Sequence, residues 1–169
     1  MLKHQQGVGL LEVLVALLLL SVAVLGFSAM QMRAIKATDE TLIRSDAMMV
    51  IRNVSEDLRL YPNTTQRQAY ITALSSGNSA VGTDCRTTAC TEAEQVAYTA
   101  AQSLQIAEDS ELRISAQVCP GSGANNLTRM CVIAAWGDTQ ATMGDDANTC
   151  TTAEGAYKPG AKCFIMETY

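Results

Sequence analysis

Apolar residues fill the chain from Val13 to Ala29 almost without a break, with only Ser21, Gly26 and Ser28 interrupting. Counted from Val8, the run has about 22 residues and reaches ~33 Å as a helix, enough to cross the hydrocarbon core of a bilayer. It is apolar all round and begins almost at the N-terminus, so it does not read as the core helix of a domain, which keeps a polar face. Beyond Ala29 the pattern changes instead of stopping. Ile43, Ala47, Val50, Val54 and Leu58 recur at spacings of three and four, while Arg44, Asp46, Arg52, Glu56 and Arg59 occupy other positions. This is the signature of a helix with one buried face. No proline occurs before Pro62. The pattern predicts one continuous helix from about Val8 to Leu60, ~80 Å long. It should end ahead of Tyr61-Pro62-Asn63, because the residue before a proline avoids helical geometry.

The stretch from Asn63 to Arg86 is small and polar. Asn63-Thr64-Thr65 and Ser75-Ser76-Gly77-Asn78-Ser79 read as loop, with a short helical piece around Gln68 to Leu74. Thr91-Glu92-Ala93-Glu94 has the spacing of a capping box, and Val96, Ala97, Ala100 and Leu104 form the apolar stripe of a helix from Thr91 to about Ile106. The period then drops to two. Leu112, Ile114, Ala116 and Val118 alternate with Arg113, Ser115 and Gln117, as in a half-buried strand. A turn-rich connection from Pro120 to Asn126 leads into a returning strand, Arg129 to Trp136. Gly137 to Thr149 reads as polar loop, and Lys162 to Glu167 as a last strand. The expected fold class is α+β: a long N-terminal helix, with a membrane half and an amphipathic half, packed on a small antiparallel sheet. The expected division is 1–7, 8–29 and 30–169.

Composition narrows the possibilities. The chain has 169 residues, 48% of them hydrophobic, and a net charge of −5. Such an acidic body is poorly suited to capturing nucleic-acid phosphates, and no nucleic-acid partner is expected. Lys3 and the lack of acids before Glu12 favour a cytoplasmic N-terminus, with the rest on the far side of the membrane. The six cysteines, Cys85, Cys90, Cys119, Cys131, Cys150 and Cys163, all lie beyond the apolar run. In an oxidising compartment an even set reads as three disulfides. Fifteen pairings are possible and the residues leave them open. Pairing of sequence neighbours is favoured, because Cys119 and Cys131 flank the Pro-Gly turn, and Cys150 and Cys163 flank a loop with Gly155 and Gly160.

Little here points to catalysis or metal. His4 is the only histidine and precedes the apolar run, so a Ser-His-Asp or Cys-His device has no base in the rest of the chain. Zinc is disfavoured because no C-x-x-C occurs. Asp138, Asp145, Asp146 and Asn148 are candidate Ca²⁺ ligands without EF-hand spacing, and they read better as a solvated turn. No metal or other cofactor is expected. Asn53-Val54-Ser55, Asn63-Thr64-Thr65 and Asn126-Leu127-Thr128 fit the glycosylation tripeptide, which arises easily by chance. Trp136, the one tryptophan, is expected in the core.

Most informative is the N-terminal stretch Lys3-His4-Gln5-Gln6-Gly7-Val8-Gly9-Leu10-Leu11-Glu12, which runs into Val13-Leu14-Val15-Ala16-Leu17. A basic leader ends in glycine, and an apolar run follows that carries one acid near its start. A carboxylate inside lipid costs several kcal/mol and is normally functional. A secretory signal places its apolar region before the cut, and a lipoprotein signal needs a cysteine that is absent before Cys85. A plain signal anchor would not need Glu12. The arrangement resembles the class III signal of type IV prepilins and pseudopilins. The resemblance implies a cut by prepilin peptidase between Gly7 and Val8, which places Glu12 fifth in the mature chain. It also implies N-methylation of Val8, where most members carry Phe, and pairing of Glu12 with the N-terminal amine of a neighbouring subunit.

The stretch from Cys85 through Cys90 to Tyr98 is similar to minor pilins of the type IV pilus modification protein (PilV) kind, in which a short Cys loop precedes an Ala-rich helix. What this implies is a non-enzymatic minor pilin that helps initiate and assemble a type IV pilus, and so acts in twitching motility and surface attachment. Implied partners are prepilin peptidase, other minor pilins, the major pilin, the inner-membrane assembly platform, membrane lipid through residues 8–29, and an adhesin at the tip. The implied location is the bacterial inner membrane, with the N-terminus cytoplasmic and the head periplasmic, and then the pilus. The alternatives are a minor pseudopilin of a type II secretion system, a tip adhesin or DNA-binding pilin, and a signal-anchored periplasmic enzyme. Gly7→Asp is expected to leave an uncleaved, membrane-trapped precursor. Intact-mass measurement of the mutant reads this directly, and processing at the wild-type rate would refute the assignment of the cut.

Overall fold

The computed structural model describes residues 9–122 and 129–168. Three helices and five strands follow in order: α1 (Leu10–Leu60), α2 (Thr64–Ser76), α3 (Glu92–Asp109), β1 (Arg113–Val118), β2 (Met130–Ala135), β3 (Gln140–Met143), β4 (Thr149–Thr151) and β5 (Cys163–Thr168). The fold is α+β, as the periodicities indicate. The chain divides into two compact units, one up to Thr41 and one from Leu42 onward. Helix α1 is continuous for 51 residues and stops ahead of Pro62. The proposed start at Val8 lies outside the described residues.

The second unit is built on the C-terminal part of α1. Ala47, Val50, Ile51, Val54, Ser55 and Leu58 are buried along one stripe of that helix, while Arg52, Glu56 and Arg59 face solvent. The stripe joins Tyr70, Ile71 and Leu74 of α2 and Val96, Ala100, Leu104 and Ala107 of α3 in one core. Each large aliphatic side chain buried there contributes roughly 1.5–3 kcal/mol of hydrophobic stabilisation.

Helix α2 is longer than the Gln68–Leu74 piece expected. The residues that read as loop are its caps. Asn63 Oδ1 accepts from the Thr65 N–H at 2.9 Å, and Gly77, at φ 64°, ends the helix by donating its N–H to the Leu74 carbonyl. Capping favours the same Asn, Thr and Gly residues that mark loops, so composition alone misplaces such ends. Helix α3 begins as its sequence predicts. Thr91 Oγ1 accepts from the Glu94 N–H, and the Glu94 carboxylate accepts from the Thr91 N–H at 2.8 Å. That backbone bond, with the Thr91 hydroxyl second, lowers the Glu94 pKa below the ordinary glutamate value.

Strands β1, β2 and β5 form an antiparallel sheet in the order β1-β2-β5. Every residue of the central strand β2 is buried, on both faces. On one face Ile114, Ala116, Val132 and Ala134 meet the helices, and Trp136 lies 5.5 Å from Phe164, ring centroid to centroid. Ile133 and Ala135 point the other way, into a second cluster with Ala141, Cys150 and Cys163. That face explains a correction. The Gly137–Thr149 segment, expected as plain loop, contains β3, which pairs in parallel with β4. Four- and three-residue strands carry too little periodicity to be read in isolation. They form because the second face of β2 has to be covered.

All six cysteines pair as sequence neighbours: Cys85–Cys90, Cys119–Cys131 and Cys150–Cys163. The last two close loops of 12 and 13 residues in sequence separation, and each stabilises by ~3 kcal/mol on the chain-entropy model.

A polar junction completes the unit. The hydroxyl of Tyr70, a residue with no exposed surface, donates to Asp57 Oδ2 at 2.9 Å. Ser103 Oγ donates to the same oxygen at 3.0 Å and lies 3.2 Å from the tyrosine oxygen. One carboxylate thus ties α1 to α2 and α3. Burial, reinforced by the Asp57 charge and opposed by the Ser103 hydrogen bond, pushes the Tyr70 hydroxyl far above its ordinary 10.0. The folded state therefore holds Tyr70 neutral. Its contribution is complete below about pH 10, where an unfolded tyrosine begins to ionise, and is lost as pH rises further. Tyr70→Phe should cost about 1–2 kcal/mol and lower Tm by roughly 2–8 °C. It should also flatten part of the loss of stability above pH 10. Thermal melts of both proteins across pH 8–11 check both effects.

Candidate functional site: the exposed apolar segment of α1

Helix formation satisfies the backbone from Glu12 to Thr41, but no described residue covers the side chains of this segment. Every residue described from Gly9 to Leu42 is exposed. Leu10 is 86% exposed, Leu19 67% and Phe27 64%. Eighteen successive residues within the helix reach a mean hydropathy of 2.7 with none of them buried. Leaving so many apolar side chains in water would forfeit roughly 1.5–3 kcal/mol for each large one, so the segment requires lipid or other protein around it.

The polar residues inside the run are accommodated internally. Ser21 Oγ donates to the Leu18 carbonyl at 2.8 Å, and Ser28 Oγ to the Val24 carbonyl at 2.9 Å. A hydroxyl bonded back onto its own helix needs no water, which is the condition for residing in hydrocarbon. Thr38 and Thr41 bond in the same way to Ala34 and Ala37. Gly26, the weak point suggested by sequence, lies within the unbroken helix.

Glu12 stands in the first turn, with its N–H donating to the Gly9 carbonyl at 2.9 Å. An acid there complements the positive end of the helix dipole. Its side chain is exposed, open to a partner from outside the chain. Gly7 and Val8 lie outside the described residues. Arg33 and Lys36 follow directly on the apolar run, one turn apart and both exposed.

The other candidates from sequence assemble no chemistry. Asp138, Asp145, Asp146 and Asn148 are exposed. In that loop it is the Asp146 backbone carbonyl that is engaged, by Thr149 and by the Lys158 ammonium. Cys119, Cys131 and Glu167 lie close enough to suggest a metal site, but both sulfurs are committed to a disulfide and Glu167 pairs with Arg129 at 2.8 Å. Trp136 is 5% exposed and belongs to the core. Of the three tripeptides, Asn53-Val54-Ser55 sits in α1 with Val54 and Ser55 buried, Asn63 is the cap of α2, and Asn126 lies outside the described residues. Sequence reasoning missed the Asp57–Tyr70–Ser103 junction, since nothing in the spacing of those residues announces it.

A long helix too apolar to be left in water, joined to a small disulfide-bonded α+β unit, defines the class of protein. The family model described as type IV pilin Tt1218 matches residues 29–101, and the prokaryotic N-terminal methylation motif matches residues 2–28. The chain is a type IV pilin-like protein carrying a class III prepilin signal. No curated protein and no solved structure matches it. Its motif and its apolar helix fit anchoring in an inner membrane and a place in a pilus.

The two units should fail independently. Leu19→Arg places a charge at mid-segment, at a cost of ~2.5–3.5 kcal/mol on insertion scales. It should reduce the membrane-bound fraction without shifting the melting of the cystine-bonded unit. Fractionation and thermal melts on the same preparation check the pair of outcomes.

Proposed function

We propose that the protein is a minor pilin that takes part in initiating and assembling a type IV pilus, and through it in twitching motility and surface attachment. The observation that carries this reading is the junction of two features in α1. A prepilin motif leads into a fully exposed apolar helix, and the single acid within its first turn, Glu12, has an open side chain. Prepilin peptidase cuts between Gly7 and Val8, and the new amine on Val8 is N-methylated, which keeps its charge. Before assembly, residues 8–29 rest in the inner membrane with the N-terminus cytoplasmic and the head periplasmic. In the filament Glu12 pairs with the terminal amine of a neighbour, so that two groups that are costly in an apolar surrounding neutralise each other. The head meets other minor pilins, the major pilin and an adhesin at the tip, and the assembly platform acts on the membrane-resident subunit. The loop closed by Cys85–Cys90 ahead of α3, with further cystines in the sheet, supports the type IV pilus modification protein kind.

A minor pseudopilin of a type II secretion system is the second reading, because its leader and apolar helix would be alike. Three cystines favour a subunit exposed outside the cell. Glu12→Ala should insert into membrane as wild type does and be cut as wild type is, but should appear in sheared pili at least several-fold less. Quantitative immunoblotting of membrane and pilus fractions reads both quantities. Equal amounts of mutant and wild-type protein in pili would count against the role of Glu12.

A further inference from the structure

Lys36 stands in α1 just beyond the apolar run and is exposed. It pairs with no described residue, although Glu40 lies four residues on, at the spacing for a bond within the helix. Its distance from the N-terminus repeats another. Lys36 follows Val8 by 28 residues, and Glu40 follows Glu12 by 28 residues. Twenty-eight residues are four heptads, the interval that returns to the same side of a helix wound around a parallel neighbour. The cut after Gly7 leaves a cationic amine on Val8 four residues ahead of Glu12. Lys36 and Glu40 present the same charges, in the same order and at the same spacing, four heptads later.

The residues between complete two stripes. The heptad leading back from Lys36 runs through Ala29, Val22 and Val15 to Val8, and the one from Glu40 through Arg33, Gly26 and Leu19 to Glu12. All their described members are exposed and belong to the first compact unit. Two parallel copies in step would set Glu12 against Glu12 and Lys36 against Lys36. A shift of four residues, ~6 Å along the axis, sets one stripe against the other instead. The Val8 amine then meets Glu12, Val15 meets Leu19, Val22 meets Gly26, Ala29 meets Arg33, and Lys36 meets Glu40. Apolar contacts fill the middle and ion pairs close the ends. Glycine is costly inside a helix, and Gly26 has nothing within 4 Å of where a Cβ would stand. In this register that space admits a neighbour's Val22 close to the main chain, as small residues do between membrane helices. Ala29, being small, leaves the Arg33 stem room to run out to the aqueous edge.

We propose that α1 packs in parallel against α1 of a second copy of this chain, four residues out of step, with Lys36 of one copy paired to Glu40 of the other. This pair fixes the far end of a register whose near end is fixed by the Val8 amine and Glu12. A carboxylate accepts from more than one donor, so the contact that Glu40 has within its own chain is compatible with a second. The inference rests on the reading of Glu12 as the partner of a neighbour's amine, and adds to it a second contact and an axial offset.

The test reconstitutes the full mature chain in phosphatidylcholine vesicles as a mixture of two tagged forms, Ala29→Cys and Arg33→Cys, and reads oxidative cross-linking between them. The 29–33 product should exceed the 29–29 and 33–33 products at least fivefold. Lys36→Glu in both forms should lower it at least fivefold. Adding Glu40→Lys should bring it back to within twofold of the starting yield, since the exchange restores opposite charges. Melting of the cystine-bonded unit shows that each variant is folded. Glu12→Ala separates the two readings. If it leaves the yield unchanged while Lys36→Glu lowers it, the Lys36–Glu40 pair stands and the role of Glu12 falls. If it lowers the yield while Lys36→Glu does not, the pair falls and the role of Glu12 stands. Equal 29–29 and 29–33 yields, or no recovery in the exchanged variant, would also overturn the proposal. So would a Lys36→Glu chain that keeps the cross-link and is extracted more easily from the vesicles, which would assign Lys36 to lipid phosphates.

Discussion

The structure depends on one helix serving two surroundings without a break. Within α1 every turn closes the same backbone hydrogen bonds, but the side chains change their requirements part-way along. From Gly9 to Leu42 no described residue covers them. From Ala47 to Leu58 one stripe is withdrawn from water completely and the opposite face carries charge. The hydrogen-bonded helix is the conformation that tolerates both conditions, because it leaves no main-chain group needing solvent. The lack of proline before Pro62, and the back-bonding of Ser21 and Ser28, are consequences of that constraint.

The helices and one sheet face after Leu60 cover the amphipathic half. Helices α2 and α3 and one face of the sheet close over the Ala47–Leu58 stripe. Asp57 fixes their registration through Tyr70 and Ser103, a directional contact that apolar packing alone does not supply. The sheet is then left with a second apolar face. The β3–β4 pair and the Cys150–Cys163 bond lie across it. This layering turns β2 into a strand buried on both sides.

The division of labour follows from the same physics. The apolar segment is not committed to the second unit: its side chains stay exposed, and its serine hydroxyls are satisfied within the helix. The second unit, whose core is small, is closed covalently by three local cystines with short loops.

Sequence by itself determined the features that rest on local chemistry. The extent of α1, its change from all-round to one-sided apolarity, the capping box at Thr91, the strands at Arg113, Met130 and Cys163 and the α+β class were all legible, because each is written in a period or a cap within a dozen residues. The prepilin-like N-terminus was legible for the same reason, as a contiguous motif. Tertiary structure decided what depends on residues far apart in the chain. The caps at Asn63 and Gly77 looked like loop until packing of Tyr70 and Leu74 made the intervening turns helical. Strands β3 and β4 were too short to announce themselves and exist because Ile133 and Ala135 need cover. The meeting of Asp57, Tyr70 and Ser103 has no trace in spacing. A hydrogen bond across 13 or 46 residues is fixed only when the whole chain has closed around it.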